Sequence, residues 1–550
     1  PGVVFELVFT NASKKEILVR HAEPLRALLD EHSGCFFGAE GTYSAVQKVL
    51  RSGYLYSDPG DVMDMVGNGR RDFSSVWNAA YYIPGTQETL VVGYLENRQA
   101  EGHIHAAWNL TRAWQGGHAA FDLTGRSYYN RYFVLKPGAS ISSGRLLVLL
   151  SPDPFSGLEY YAETCGRLHK VRLNPIINGW CSWAYTHTRA SEEEQLKNAE
   201  FIASHLKPYG MEWVQIDDGY QRAFGDWEGN ELYPHGMKWL AGKIRELGLK
   251  PGIWIAPYVI SENTEIAKNH PDWLVHDASG NVYVTAHSRA RHALDITHPS
   301  ARQWLYDLFR TIAQDWGYDF IKIDFVEWTL LAAERYYDPT IGKAAAYRLG
   351  FETMRAALGP ERHLLDCGPG MTTLGLLDSM RIDQDLPRTT WEQYTKHFCS
   401  NAPAMAKRYY FHKRTWINDN DHLGLARLTV PQARAAASII ALSGGTTISS
   451  DRLYELDPVR LEILQKVLPA YGEAARPLDL FEKSFPEIFA VKVRKDFGEW
   501  WLLGYFNYDE NATAVRDFDL TRLGLDPQKT YLVYEFWSQR LVAEAIRNLR

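Results

Sequence analysis

Asp319-Phe320-Ile321-Lys322-Ile323-Asp324-Phe325 reads as a short buried strand that ends on a carboxylate, and runs of the same kind recur between residues 175 and 450. Strands are expected over 176–183, 212–217, 252–257, 292–296, 320–324, 363–367, 380–383 and 415–418. Most are followed by an amphipathic stretch. At 191–205, Ser191 precedes three glutamates, which is an N-cap signature. Eight strand-then-helix units of this rhythm predict a (β/α)8 TIM barrel, whereas an open doubly wound sheet alternates in the same way but usually has fewer strands. Polar residues gather at the C-terminal ends of these strands, where barrels carry their chemistry. They are Trp183, Asp217-Asp218, Trp254, Asp324, Cys367-Gly368, Asp385 and the run Asn418-Asp419-Asn420-Asp421.

The flanks have a different texture. Up to residue 172, short alternating runs such as Thr89-Leu90-Val91-Val92-Gly93-Tyr94 lie between Gly, Asp and Asn turns, which predicts a β-sandwich. From 473 onward short strands return at 500–506 and 529–537, suggesting a small C-terminal β-domain. The expected layout is therefore 1–172, 173–472 and 473–550, in keeping with a chain of 550 residues that exceeds one ordinary core.

Composition narrows the partners. A net charge of −7 offers no basic surface for nucleic acid, and no apolar run reaches the roughly 18 residues of a membrane span. The start shows no export signal, so a cytoplasmic setting is expected, although Pro1 suggests a trimmed start that leaves export open. Five cysteines without a CxxC pair predict neither a disulfide framework nor a zinc site. The 18 Trp, 31 Tyr and 23 Phe could stack on sugar rings or could simply fill a large core.

Two carboxylates delivered to one edge of a sheet suit a glycosidase, in which one attacks the sugar carbon and the other handles the leaving oxygen's proton. Strand alternation puts Lys322 on the face of Asp324, where it would hold the aspartate ionised as a nucleophile; a purely structural Lys–Asp pair is the other reading. For the acid, Asp383 and Asp385 are equally credible from the residues alone. Asp217 and Asp218 fit neighbouring sugar hydroxyls better than a divalent cation, because further oxygen ligands are not evident. Serine-hydrolase elbows, P-loops, HExxH helices and dinucleotide fingerprints are absent.

Taken together, the motifs resemble glycoside hydrolase family 36 α-galactosidases, in the clan shared with family 27. The matching pieces are Gly179-Trp180-Cys181-Ser182-Trp183, Gln215-Ile216-Asp217-Asp218, Pro251-Gly252-Ile253-Trp254-Ile255-Ala256-Pro257 and Lys322-Ile323-Asp324-Phe325. They continue with Cys367-Gly368, Asp378-Ser379-Met380-Arg381-Ile382 with Asp385, and Trp416 to Asp421. The resemblance implies a retaining, exo-acting enzyme with Asp324 as nucleophile and Asp385, rather than Asp383, as acid/base. It further implies sugar contacts from Asp217, Asp218, Trp254, Lys322, Cys367, Gly368, Arg381 and Trp183, with Asp421 a further candidate. An oligosaccharide or glycoside substrate follows, with no cofactor and no metal, and a homo-oligomer is left open. Three departures from the family pattern stand out. Asp383 stands where a small residue is usual, and is a further candidate for sugar contact, while Ala184-Tyr185-Thr186-His187-Thr188 stands where aromatics are usual. Tyr56 stands where the N-terminal domain normally gives a tryptophan to the sugar pocket, and would take its place as a substrate contact. The alternatives are an α-N-acetylgalactosaminidase, another α-glycosidase or transglycosidase of the clan, or a carbohydrate-binding protein that kept the barrel.

Overall fold

The structure is a computed structural model that describes residues 2–29, 34–40, 43–54, 57–66, 70–109, 120–285, 292–326, 335–386, 389–396, 400–545 and 548–549. At its centre parallel strands run in the spatial order Ile417–Asp419, Ser379–Arg381, His363–Asp366, Phe320–Ile323, Lys250–Ile255, Trp213–Ile216, Asn178–Cys181, Thr447–Ser449 and His422–Leu423. The two outermost members are separated in sequence only by Asn420 and Asp421, so they are halves of one broken stave. The break closes the sheet into an eight-stave barrel, and the Thr446 N–H donates to the Asn418 carbonyl at 3.0 Å across the seam. Strands so placed are covered on both faces, which is why they are apolar runs without polar alternation. Phe320, Ile321, Lys322 and Ile323 are all buried.

The barrel confirms the expected architecture with one exchange of strands. The run expected at 292–296 is not a stave. His292–Ala293 instead pairs antiparallel with Val259–Ile260 in a separate ribbon outside the barrel sheet. The missing stave is Thr447–Ser449, which hydropathy hides because its stretch is Thr446-Thr447-Ile448-Ser449-Ser450. The hydroxyls that flank it are matched inside the barrel: Thr446 Oγ1 donates to Asp419, and Ser450 Oγ donates to the Cys181 carbonyl at 2.8 Å. Asp324 therefore follows the fourth stave, Cys367 the fifth and Asp385 the sixth.

Helix starts follow the sequence signals. Ser191 caps Glu192–Phe201 by accepting the Glu194 N–H, and the three glutamates of the first turn complement the helix dipole.

Residues 2 to 151 form two facing antiparallel sheets of six and four strands. Val49, Tyr81, Val92, Ile104, Trp108 and Phe121 fill the space between them. Helix Pro154–Leu168, capped by Asp153 at Ser156 N–H (2.8 Å), ties this sandwich to the barrel. Its Leu158, Tyr161 and Cys165 share one core with Trp77 and Val91 of the sandwich and Met405, Phe411 and Trp416 of the barrel. Side chains of that size contribute about 1.5–3 kcal/mol each on full burial, so the junction is a true core and not a hinge. Gly166 is required there, since a Cβ would lie 1.8 Å from the Arg414 carbonyl. At the C-terminal end, Arg476–Pro477, Ile488–Lys495 and Gly498–Tyr505 make a three-stranded antiparallel sheet, and Tyr531–Glu535 pairs with Arg540–Ala545.

Candidate active site

Asp324 extends the fourth stave by one residue, its N–H donating to the Ile255 carbonyl at 3.0 Å. Trp254 Nε1 donates to its Oδ2 at 2.9 Å and the Phe325 N–H to its Oδ1 at 2.8 Å. Both oxygens are thus oriented by fixed donors. The indole that makes one of these bonds is itself 2 % exposed and wedged edge-on between Phe224 and Phe325. Phe325 adopts φ +50°, a left-handed backbone that a bulky aromatic rarely takes. Strain of this kind concentrates where a strand turns into a functional site.

The expected pairing of Lys322 with Asp324 is not what forms. Lys322 Nζ lies 3.0 Å from Asp217 Oδ2, with both side chains buried. Two residues before Asp324, the ammonium sits within the stave and meets the carboxylate that ends the second stave. Burial alone would push the Asp217 carboxyl up, but Lys322 and the Asp218 N–H outweigh it and hold it below the usual range. Burial likewise disfavours the ammonium, and Asp217 reverses that, holding Lys322 well above its ordinary value. Gln215 Nε2 (2.7 Å) and Cys181 Sγ (3.3 Å) also donate to Asp217 Oδ2. Asp218 is held by Gln221 Nε2 at 2.7 Å.

Arg381 is the hub of the opposite wall. Its Nη1 donates to Asp385 Oδ1 at 2.8 Å, its Nε donates to Asp419 Oδ2 at 2.8 Å, and its Nη2 lies 2.6 Å from Asp421 Oδ1. One guanidinium therefore serves three carboxylates while only 2 % of its side chain is exposed. Asp385 is pushed up to about 7, first by burial and then by Asp421 and Asp324, against the pull of Arg381 and Lys322. Because 47 % of its side chain remains open, solvent moderates the burial part of that push, whereas the neighbouring carboxylates are fixed. Asp324 is thus close enough to favour the protonated form of Asp385.

Asp383 is not brought to the mouth of the barrel. It is fully buried, and its Oδ2 accepts from Asn401 Nδ2 (2.6 Å) and Asn420 Nδ2 (3.0 Å). Its Oδ1 has no partner among the described residues, and burial holds the carboxyl well above the usual range. In that position it braces the loop from beneath, which separates it from Asp385 as the residues alone could not.

Cys367 is buried beside Asp324, Arg381 and Lys322, and burial pushes its thiol well up. The Gly368 N–H donates to Asp366 Oδ1 at 2.7 Å, and Tyr347 and Thr373 hydroxyls donate to the same carboxylate at 2.6 Å each. A Cβ on Gly368 would lie 2.4 Å from the Tyr347 hydroxyl and 2.5 Å from Val326 Cγ2. Gly368→Ala is therefore expected to cost about 1–3 kcal/mol by overpacking, read as a lower urea midpoint. Trp183 packs against the core containing Cys181 and Cys367, edge-on to His187. Beside Asp218 a cleft of about 480 Å³ opens, lined by Thr188, Gln221, Arg222, Phe224, Asn230 and Asn263 among others. Among the described residues no group of His, Cys, Asp and Glu side chains could hold a metal ion.

Tyr56 lies outside the described residues. The segments around it are fixed by Arg408, which donates to the Gly53, Asp58 and Ile382 carbonyls at 3.3, 3.1 and 3.3 Å and lies over the Trp77 ring. One buried side chain thereby joins the N-terminal sandwich to the loop that carries Asp385.

The melibiase family model matches residues 162–358. Over that stretch the chain is similar to the melibiase family. That stretch covers the first four staves with Lys322 and Asp324. α-Galactosidase AgaA of Geobacillus stearothermophilus is 31 % identical over 162 residues, which are 26 % of this chain and 21 % of AgaA. α-Galactosidase 1 of Pediococcus pentosaceus is 25 % identical over 495 residues, 77 % of this chain and 61 % of that protein. The chain therefore spans less than two thirds of these relatives. The α-galactosidase TtGalA of Thermus thermophilus, solved with p-nitrophenyl α-D-galactopyranoside, aligns with TM-score 0.60 at 23 % identity, covering 85 % of this chain and 92 % of that one.

The polar run Asn418-Asp419-Asn420-Asp421 is visible in the sequence, since polar residues inside a barrel stave must find partners within the protein, but the partner of Asp419 is not; Asn401 and Asp366 are missed altogether as members of the site's framework. Nothing local marks Asn401 or Asp366, whose roles exist only in three dimensions.

Proposed function

We propose that this chain is a retaining exo-α-glycosidase that removes a terminal α-linked galactose. Asp324 attacks the anomeric carbon while Asp385 protonates the departing glycosidic oxygen. Asp385 then takes a proton from water, which attacks the same carbon, breaks the ester to Asp324 and frees the sugar with its α-configuration kept. The observation that carries this reading is the contrast between the two carboxylates at one mouth. Asp324 is fixed by two N–H donors, and Asp385 is crowded by other carboxylates that favour its protonated form.

Asp218, Lys322, Cys367, Gly368 and Arg381 are proposed to meet sugar hydroxyls, with Trp254 and Trp183 offering apolar faces. The leaving group would have room in the cleft beside Asp218. The choice of galactose rests on the relatives' names and on the galactoside bound to the Thermus protein. A panel of nitrophenyl α-glycosides tests it: galactose should be turned over in clear preference to N-acetylgalactosamine and glucose, and the reverse order would reject the galactose assignment.

The raised Asp385 pKa gives a direction for pH. The first step needs the proton on Asp385, so kcat/KM on an α-galactosyl disaccharide should hold up to about pH 7 and fall above it. A profile that stays flat to about pH 9 would show that this carboxyl is not the acid.

A further inference from the structure

The break in the seventh stave places Asp421 where it touches both the guanidinium and the backbone that hold Asp385. Asp421 is buried and adopts φ +54°. Its Oδ2 accepts the N–H of Leu386, the residue after Asp385, at 2.6 Å. Its Oδ1 lies 2.6 Å from Arg381 Nη2, and the same guanidinium reaches Asp385 through Nη1 at 2.8 Å. His422 Nε2 lies 3.1 Å from Asp421 Oδ1, and burial with Lys322 and Arg381 nearby pushes that imidazole down to about 3, leaving it neutral.

On this arrangement, and resting on the function proposed above, we propose that Asp421 is a positioning residue that keeps Asp385 able to donate a proton. It does so by drawing the charge of Arg381 onto itself and by anchoring the Leu386 amide. A guanidinium shared among three carboxylates favours ionisation of each less than one devoted to a single partner. Removing the Asp421 charge leaves Arg381 to Asp385 and Asp419, so Asp385 loses its proton at lower pH. The other titratable or charged groups around Asp385, among the described residues, do not change with the substitution. They are Arg381 and the buried Asp383 on its own segment, Lys322 and Asp324 on the fourth stave, Asp419 on the seventh, and Asp217 paired to Lys322 from the second. Holding a buried aspartate at φ +54° costs backbone energy that a packing role alone would not require.

Asp421→Asn is the sharpest test. Asparagine tolerates positive φ and keeps an oxygen for the Leu386 N–H, while its amide NH2 replaces the charged acceptor that faces Arg381. Asp421→Gly, for which this φ is unstrained, gives a second route if the first variant does not fold. With either variant, the alkaline limb of kcat/KM against pH, measured on an α-galactosyl disaccharide, should move down by about one pH unit or more relative to the unmodified protein. An alkaline limb unmoved in a folded variant would overturn the proposal. If the unmodified protein does not cleave the disaccharide, it is the glycosidase reading that has failed, and the two outcomes are distinguishable.

Discussion

Asp324→Ala is expected to lower kcat on a nitrophenyl α-galactoside by about 10⁴- to 10⁶-fold, roughly 5–8 kcal/mol of barrier. A loss of that size follows when the atom that forms the covalent intermediate is removed, since no remaining group can replace bond formation. The fold should survive, because the backbone N–H of residue 324 keeps its bond to Ile255 and, among the described residues, the Trp254 and Phe325 donors alone lose their acceptor. Those two orphaned donors predict a modest stability cost of about 1–3 kcal/mol, measurable in urea. Azide supplies the distinguishing observation. Entering the space left by the carboxylate, it should attack from the β-face and give β-galactosyl azide, with Asp385 still protonating the leaving oxygen. An Asp324→Ala variant that is folded and retains full activity would remove Asp324 from the chemistry.

The second large effect is expected at Asp385 and should depend on the leaving group. Asp385→Ala should reduce turnover of an α-galactosyl disaccharide by about 10²- to 10⁴-fold, because a sugar alkoxide leaves poorly without a proton. Nitrophenolate needs less help, so formation of the covalent intermediate from a nitrophenyl galactoside should suffer far less. Azide should now react with that intermediate from the opposite face and yield α-galactosyl azide. Opposite azide anomers from the two variants would assign the two roles independently of any rate. The same anomer from both would contradict the division of labour between Asp324 and Asp385. Arg381 complicates only stability: without Asp385 it keeps Asp419 and Asp421, so it is not left as a buried unpaired charge.

The barrel was legible because its staves are covered on both faces and so read as apolar runs, each ending in a polar residue that has to be accounted for. Phe320–Ile323 followed by Asp324 is the clearest case. The eighth stave was not legible, since its hydroxyl-bearing residues make Thr446 to Ser450 look like a loop although the stretch is buried. The run at 292–296 misled for the opposite reason: two short apolar strands beside the mouth carry the same local pattern as a stave. Within the site, sequence alternation placed Lys322 near Asp324 but could not reveal that Asp217, more than a hundred residues earlier, would claim the ammonium. Local pattern gives the direction of a side chain, whereas its partner is decided by closure of the barrel. Asp383 shows the same limit. Its position two residues before Asp385 made it a rival acid, and only its burial under Asn401 and Asn420 removes it.

The central claim is double displacement through a covalent bond to Asp324, and the anomer released first tests it most directly. Proton NMR of the unmodified protein acting on nitrophenyl α-galactoside should show α-galactose first, with the β-anomer growing later by mutarotation. β-Galactose as the first product would mean a single displacement by water, and the assignment of Asp324 as nucleophile would be wrong.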